Sequence, residues 1–212
     1  MYSQFNEEEI ICNYFLNKLG IVLDIGANDG KTFSNSLALI EKGWSAICVE
    51  PTEEAFSRLL NLHKNNSLVN CINVAITEKS GTNVMLVNGV HYKDDVGLLS
   101  IVCGENFDVT KPIEKNEYNW QNYQIVKSLT FKDMISEITI NIKNGIDLIT
   151  LDAEGYDYEI LRQIDLKKYN VQMVIVETDN LPTTNEKFQI LLQQQGFNLH
   201  ANTITNLIFT NK

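Results

Sequence analysis

Residues 21–30, Ile-Val-Leu-Asp-Ile-Gly-Ala-Asn-Asp-Gly, restrict this chain more than any other stretch. An apolar run of strand length ends in glycines at 26 and 30, and from Thr32 the spacing turns helical. A strand feeding a glycine turn and then a helix is a ligand loop. Gly26 lets the backbone bend sharply and lie against a ligand, and Gly30 lets the helix start close by. The spacing is Gly-x-x-x-Gly, and the third glycine of a dinucleotide loop is absent. Asp24 at the strand end and Asp29 in the loop put carboxylates where a dinucleotide places its pyrophosphate, whereas phosphate calls for N–H groups and positive charge. Acidic groups suit a cationic, hydroxyl-bearing ligand. S-adenosylmethionine, with its ammonium and sulfonium, is the common one; the plainer alternative is a tight strand-to-helix turn with no ligand.

Length and charge narrow the partners. With 212 residues, 44% hydrophobic and 21% charged, the chain suits one α/β domain over 1–212 with a full core. Lys and Arg total 17 against 27 acidic residues, a formal charge of −10, which disfavours nucleic acid and anionic membranes and favours a small-molecule partner. Cys12, Cys48, Cys71 and Cys103 lie far apart with no Cys-x-x-Cys pair, as expected of free thiols in a reducing cytosol. The N-terminus lacks the basic-then-apolar pattern of a signal peptide, and no apolar run is long enough to span a membrane, so a cytoplasmic protein is expected. The oligomeric state stays open.

Along the chain, Asn6 is placed to cap a helix with Glu7, Glu8 and Glu9 in its first turn and Ile10, Ile11, Tyr14, Phe15 and Leu19 on its apolar face, ending at Gly20. After the central strand, Phe33, Leu37 and Ile40 mark one helix face. Residues 45–50 read as a buried strand, and Thr52 opens a helix carrying Phe56, Leu59, Leu60 and His63. Residues 68–76 read as a third strand. Near-continuous apolar strands alternating with helices call for a parallel sheet covered on both faces. Residues 82–87 and 98–102 form a pair of strands, and the polar, aromatic stretch 88–123 is the substrate side, acting as a lid. Regular structure resumes with 124–129, a Thr130-capped helix, a strand over 147–152, a helix after Gly155 and a strand over 171–177. A Thr183/Glu186 capping box opens the last helix, and 197–200 with 203–209 make an antiparallel C-terminal hairpin.

In open parallel sheets the ligand sits beyond the carboxyl ends of the strands, where strand order reverses. Asp24, Glu50, Asn73, Asp152 and Glu177 all fall at such ends. Glu50 stands 20 residues after Gly30, the place for an acid that accepts both ribose hydroxyls of an adenosine, although it could equally cap the helix from Thr52. The adenine would lie flat near Asn73-Val-Ala75.

Ser3-Gln4, the run from Val22 to Gly30, Ser34-Asn-Ser36, Gly43-Trp44, Val49-Glu-Pro51, Ala75 and Leu151-Asp-Ala-Glu-Gly155 together resemble the FkbM-type methyltransferase family over nearly the whole chain. The Asp-x-Glu-Gly motif is the most particular of these. The resemblance implies a class I, Rossmann-like methyltransferase fold with a seven-stranded, mostly parallel sheet. It also implies O-methylation of a sugar or other small hydroxylated acceptor, with S-adenosylhomocysteine as product. The cofactor residues on this reading are Asp24, Gly26, Ala27, Asn28, Asp29, Gly30, Ser34, Asn35, Glu50, Pro51, Asn73, Ala75 and Asp152.

Methyl transfer is an in-line displacement helped by a base that takes the hydroxyl proton. Asp152, Glu154 and His91 are the base candidates. Asp152 could instead cap the following helix, and His91 could be a solvated loop residue. Asp179-Asn180 with Asp152 could form an oxygen-rich magnesium site, against the plainer reading of a surface turn. The alternatives are a nicotinamide-dependent oxidoreductase, which needs the absent third glycine, and a non-catalytic binding module on the same fold.

Overall fold

The computed structural model describes residues 1–87, 100–104 and 122–211. In chain order the elements are α1 (Glu7–Phe15), β1 (Ile21–Ile25), α2 (Leu37–Glu41), β2 (Ser45–Val49), α3 (Glu53–His63), β3 (Val69–Ile72), β4 (Ala75–Ile76), β5 (Gly81–Val87), β6 (Ser100–Gly104) and β7 (Asn122–Leu129). They continue as α4 (Phe131–Ser136), β8 (Leu148–Leu151), α5 (Asp157–Leu161), β9 (Met173–Glu177), α6 (Pro182–Gln194), β10 (Asn198–Asn202) and β11 (Asn206–Thr210).

The main sheet has seven strands in the order β10-β11-β9-β8-β1-β2-β3. Strands β9, β8, β1, β2 and β3 run parallel, and β11 returns antiparallel between β9 and β10. Strand order therefore reverses between β1 and β8. Successive side chains of a strand point to opposite faces, and here both faces are apolar. Leu23, Ile25, Ile149, Leu151, Val174 and Val176 pack under α4, α5 and α6, whose contributions include Phe131, Met134, Ile160 and Phe188. Val22, Ala46, Cys48, Leu148 and Ile175 pack on the other face under Ile11 and Phe15 of α1, Leu39 and Ile40 of α2, and Leu59 of α3. This is why the strands read as near-continuous hydrophobic runs.

Several local expectations change. The stretch 68–76 is not one strand: β3 ends at Ile72 and β4 leaves for a separate four-stranded sheet in the order β4-β7-β5-β6. Apolar periodicity carries no mark of such a switch between sheets. Residues 82–87 do pair with the later strand, which runs over Ser100–Gly104, with Met85 opposite Val102 and Leu86 opposite Ile101; positions 98 and 99 lie outside the described residues. The helix expected from Thr32 begins only at Leu37, because Asp29 draws the Lys31 and Thr32 amides into a turn and Ser34 Oγ accepts from Leu37 N at 3.0 Å. Phe33 is consequently off any helix face, at positive φ and 48% exposed.

The first helix stops at Phe15, leaving Leu19 exposed. Asn6 makes no capping bond; Ser3 Oγ accepts from Glu8 N and Glu7 Oε2 from Phe5 N instead. Thr130 caps α4 as expected, accepting from Asp133 N at 3.1 Å. The Thr183/Glu186 box does not form, because Pro182 occupies the first turn of α6 and Asp179 accepts from Leu181 N and Thr184 Oγ1. No helix among the described residues is long and apolar enough to cross a membrane.

Trp44 fixes the N-terminal helix to the sheet. Its ring is fully buried, meets Phe15 edge-on at 4.9 Å and donates its indole N–H to Lys18 O at 2.8 Å. Trp44→Ala is expected to lower unfolding free energy by about 3–5 kcal/mol, measured by urea denaturation; a loss below about 1 kcal/mol would mean that α1 does not depend on this contact.

Candidate functional site

The carboxyl ends of β1, β2, β8 and β9 meet where strand order reverses, and the site grows from the backbone there. Gly26 N and Ala27 N both donate to Val49 O at 3.0 Å, so β2 holds the loop after β1. Gly26 has φ +85, and a Cβ built on it would lie 1.8 Å from the carbonyl oxygen of Asp152. Only glycine lets β1 and β8 approach this closely. Gly30, at φ +79, presses the far end of the loop onto α3, where a Cβ would lie 2.6 Å from Leu59 and 3.3 Å from His63 Nε2. His63 is thus a buried helix-face residue, and burial lowers its pKa.

Glu50 ties the loop to the end of β2. One carboxylate oxygen accepts from Thr52 N at 2.8 Å and Thr52 Oγ1 at 2.5 Å; the other accepts from Asn28 N at 3.0 Å. It therefore joins the loop to the turn that leads into α3, without bonding an amide of the helix itself. Asn73 does not stand free to meet a base: its amide donates to Glu50 O and Pro51 O, clamping the turn after β2. Ala75 is buried in β4, packed with Val126 in the second sheet.

Other predicted loop residues serve the loop itself. Asp29 accepts from Lys31 N, Thr32 N and Thr32 Oγ1. Ser34 caps α2. Asp24 is buried under α2 and accepts from Ser36 Oγ at 2.5 Å, while Asn35 donates to Thr150 Oγ1. Oδ1 of Asn28 and Oδ1 of Asn35 are buried with no hydrogen-bond partner, the condition in which a polar atom most favours a ligand.

Carboxyl groups crowd the other side. The β8–β9 register sets Leu151 opposite Val176, so the next residues, Asp152 and Glu177, stand side by side. Glu154, at φ +50 in the turn after β8, joins them, and oxygens of Asp152, Glu154 and Glu177 lie within 4.8 Å of one another. Asp152 does not cap the next helix. Asp157, the first residue of α5, reaches back and accepts from Ala153 N at 2.9 Å and Gly155 N at 3.2 Å, closing the turn before the helix. Asp179 and Asn180 do not join Asp152 in the arrangement expected for magnesium: Asp179 faces the first turn of α6, and the Asn180 amide bonds to Ile204 O. His91 and most of 88–123 lie outside the described residues.

This crowding shifts the acids. Burial, joined by the charge of Asp152, raises Glu154 to about 8 and Asp157 to about 7. Burial followed by the charges of Asp152 and Glu154 pushes Glu177 up to about 10. Burial raises Asp24 to about 7 against the Ser36 hydrogen bond, and raises Glu50 against those of Thr52 and Asn28. Asp152 has atoms at the surface, yet the cleft strips water from its carboxyl and raises it too. Such a cluster favours a cation, because positive charge relieves both desolvation and mutual repulsion.

The Methyltransferase FkbM domain matches residues 24–199. The chain belongs to the FkbM methyltransferase family. Among solved structures, an FkbM methyltransferase from Methylobacillus flagellatus matches with a TM-score of 0.54 at 10% identity, covering 91% of this chain and 43% of that one. This chain therefore spans less than half of that protein. A candidate RNA methyltransferase from Pyrococcus horikoshii gives a TM-score of 0.52 at 12% identity, covering 97% of this chain and 79% of that one. A candidate tRNA methyltransferase from Streptococcus pneumoniae gives 0.51 at 15%, covering 99% and 70%. Identities this low carry the fold alone. A search of curated proteins finds no match.

An FkbM methyltransferase implies S-adenosylmethionine as methyl donor, and the residues present suit it. Acids end β2 and β9 and follow β8, Gly26 keeps the loop backbone bare, and orphaned amide oxygens lie in the loop and beside α2. Sequence reasoning missed the part played by Asp157 and noted Glu177 without giving it a role. Their signal was present: Asp157 opens the helix after the Asp-x-Glu-Gly turn, and Glu177 ends the strand beside Asp152.

The raised acids fix the sign of a pH effect. Each binds its proton more tightly folded than in the unfolded chain, where carboxyls titrate near ~4. Their contribution to stability is thus full below that value and is lost as pH rises through about 7 for Asp24 and Asp157 and about 8 for Glu154. The ligand-free protein is expected to show a falling urea midpoint between about pH 5 and about pH 8.5 at constant ionic strength. A midpoint that rises over this range would contradict the assigned crowding.

Proposed function

We propose that this FkbM methyltransferase O-methylates a hydroxyl of a small, neutral or cationic acceptor, with a sugar or glycan as the leading class. The observation that carries the reading is the convergence of Asp152, Glu154 and Glu177 beside the glycine loop at the switch point. Polar groups able to take a proton stand next to the place where this fold holds its ligand.

When bound, S-adenosylmethionine supplies an electrophilic methyl: an acceptor oxygen lone pair forms the new O–C bond while the C–S electron pair returns to sulfur. The chain's part is to bind, orient and deprotonate. Glu50 would accept the ribose hydroxyls, and the loop from Asp24 to Gly30 would hold the methionine portion. Asp152 takes the acceptor's hydroxyl proton, with Glu154 beside it. An aligned acceptor reacts as in an intramolecular process, where orientation lowers much of the barrier. The acidic cleft and the formal charge of −10 disfavour a nucleic-acid acceptor. The free Cys12, Cys48 and Cys71 are in keeping with a reducing cytoplasm.

Glu50→Ala is expected to weaken S-adenosylmethionine binding roughly ten- to hundredfold, the usual cost of a lost charge-assisted contact. Calorimetric titration checks this, and unchanged affinity would remove Glu50 from the ribose. Asp152→Asn should reduce turnover far more than cofactor affinity; equal losses in both would make it a cofactor ligand only. A transfer screen with labelled cofactor across sugars, peptides and nucleic acids tests the acceptor class, and transfer to RNA or DNA with sugars inert would overturn it.

A further inference from the structure

We infer that Glu177 is a positioning residue for methyl transfer: protonated, it donates a hydrogen bond to Asp152 and holds that carboxylate in place to receive the acceptor's proton. The inference rests on the reading of Asp152 as the base and adds a partner that neither the family match nor the motifs assign.

The backbone sets the pair. Parallel pairing of β8 with β9 puts Leu151 opposite Val176, and the two acids follow at the ends of neighbouring strands. The Asp152 backbone is fixed, its N–H bonded to Ile25 O and its carbonyl oxygen packed against Gly26, which leaves the direction of the side chain to its neighbours. Glu177 is fixed by β11, whose Asn206 is its register partner. Oxygens of the two acids, with one from Glu154, fall within 4.8 Å of one another. At such a separation, in a partly desolvated cleft, two carboxylates do not both ionise; one keeps a proton and donates it to the other.

Glu177 is the one that keeps it. The titratable groups facing it are Asp152 at the end of β8, Glu154 in the following turn and Asp157 at the start of α5, and all are acidic. Asp152 is the more exposed of the two and Glu177 the more enclosed, and burial and these neighbours push Glu177 up to about 10. A glutamic acid also starts above an aspartic acid in water. Near neutral pH the pair is therefore Glu177 carboxylic acid donating to Asp152 carboxylate. In the reaction the acceptor's proton goes to Asp152 while Glu177 retains its own.

Substitution separates this from a base role and from mere packing. A Gln amide can donate to Asp152 much as a protonated Glu does, but cannot accept a proton; Ala can do neither. Glu177→Ala is expected to lower kcat by about a hundredfold, the scale of a misplaced catalytic group, with cofactor affinity within about threefold of wild type. Glu177→Gln should recover most of that loss. Wild-type kcat should fall on the alkaline side as Glu177 ionises, and the Gln variant should lose that limb. A Gln variant as impaired as Ala would make Glu177 an ionised base, and an Ala variant as active as wild type would remove it from the site; either overturns the inference.

A readout independent of turnover uses the ligand-free protein. Infrared difference spectra of wild type against Glu177→Gln at neutral pH should show that the variant loses a protonated carboxyl band that wild type has, over and above any from the other raised acids. Absence of that loss overturns the inference even if Glu177→Ala fails to fold. Should wild type transfer methyl to no acceptor, the functional reading fails while this spectrum still decides the protonation of Glu177.

Discussion

The site depends on one backbone contact, that of Gly26 with the carbonyl of Asp152. The first strand and its parallel neighbour β8 come from distant parts of the chain, and strand order reverses between them. At that seam a side chain on residue 26 would overlap the Asp152 carbonyl oxygen. The bare backbone therefore draws the glycine loop and the Asp-Ala-Glu-Gly turn together, so that a loop suited to a cationic ligand lies directly beside acids suited to removing a proton. The conformational freedom of Gly26 serves this approach first; a ligand profits from it afterwards.

The larger architecture was readable because both faces of the sheet are covered. Residues such as Leu23 and Val22 go to opposite faces and are equally buried, which leaves continuous apolar runs in the sequence. What sequence did not show is where a run changes partners. Residues 68–76 look like one strand because Ile72, Val74 and Ile76 are all buried, yet the chain passes from one sheet to the other at Asn73, whose amide clamps the end of β2. The late start of α2 was hidden for a related reason. Hydrophobic spacing favoured a helix through Phe33, but the side chains of Asp29 and Ser34 captured the backbone amides first.

Site residues were legible as positions and less so as roles. The spacing placed Glu50 at the end of β2, and there it is, but its carboxylate binds Thr52 and Asn28 N, so it ties the loop to the turn before α3 and does not cap the helix itself. Asp29 and Ser34 belong to the loop's own hydrogen bonding, and Ala75 belongs to the second sheet. Asp152 carried two readings in sequence. The structure removes the capping one: Tyr156 is the N-cap of α5, with no side-chain capping bond, and Asp157 takes the amides of the turn before it.

Clustered acids are an unstable arrangement unless something opposes their charge. Here protons do so in the ligand-free chain, which is why Glu154 and Glu177 titrate far above ordinary carboxyls. A bound cation would take over that task, and by linkage its binding must release protons wherever it lowers a raised pKa. The donor carries positive charge at its sulfonium and loses it when the methyl leaves. Relief of repulsion among acids is a contribution open to the charged sulfonium and not to the neutral sulfur left after transfer. Carboxylate crowding of this kind destabilises the ligand-free fold as pH rises, and the same repulsion is what a positive charge placed among these acids would relieve.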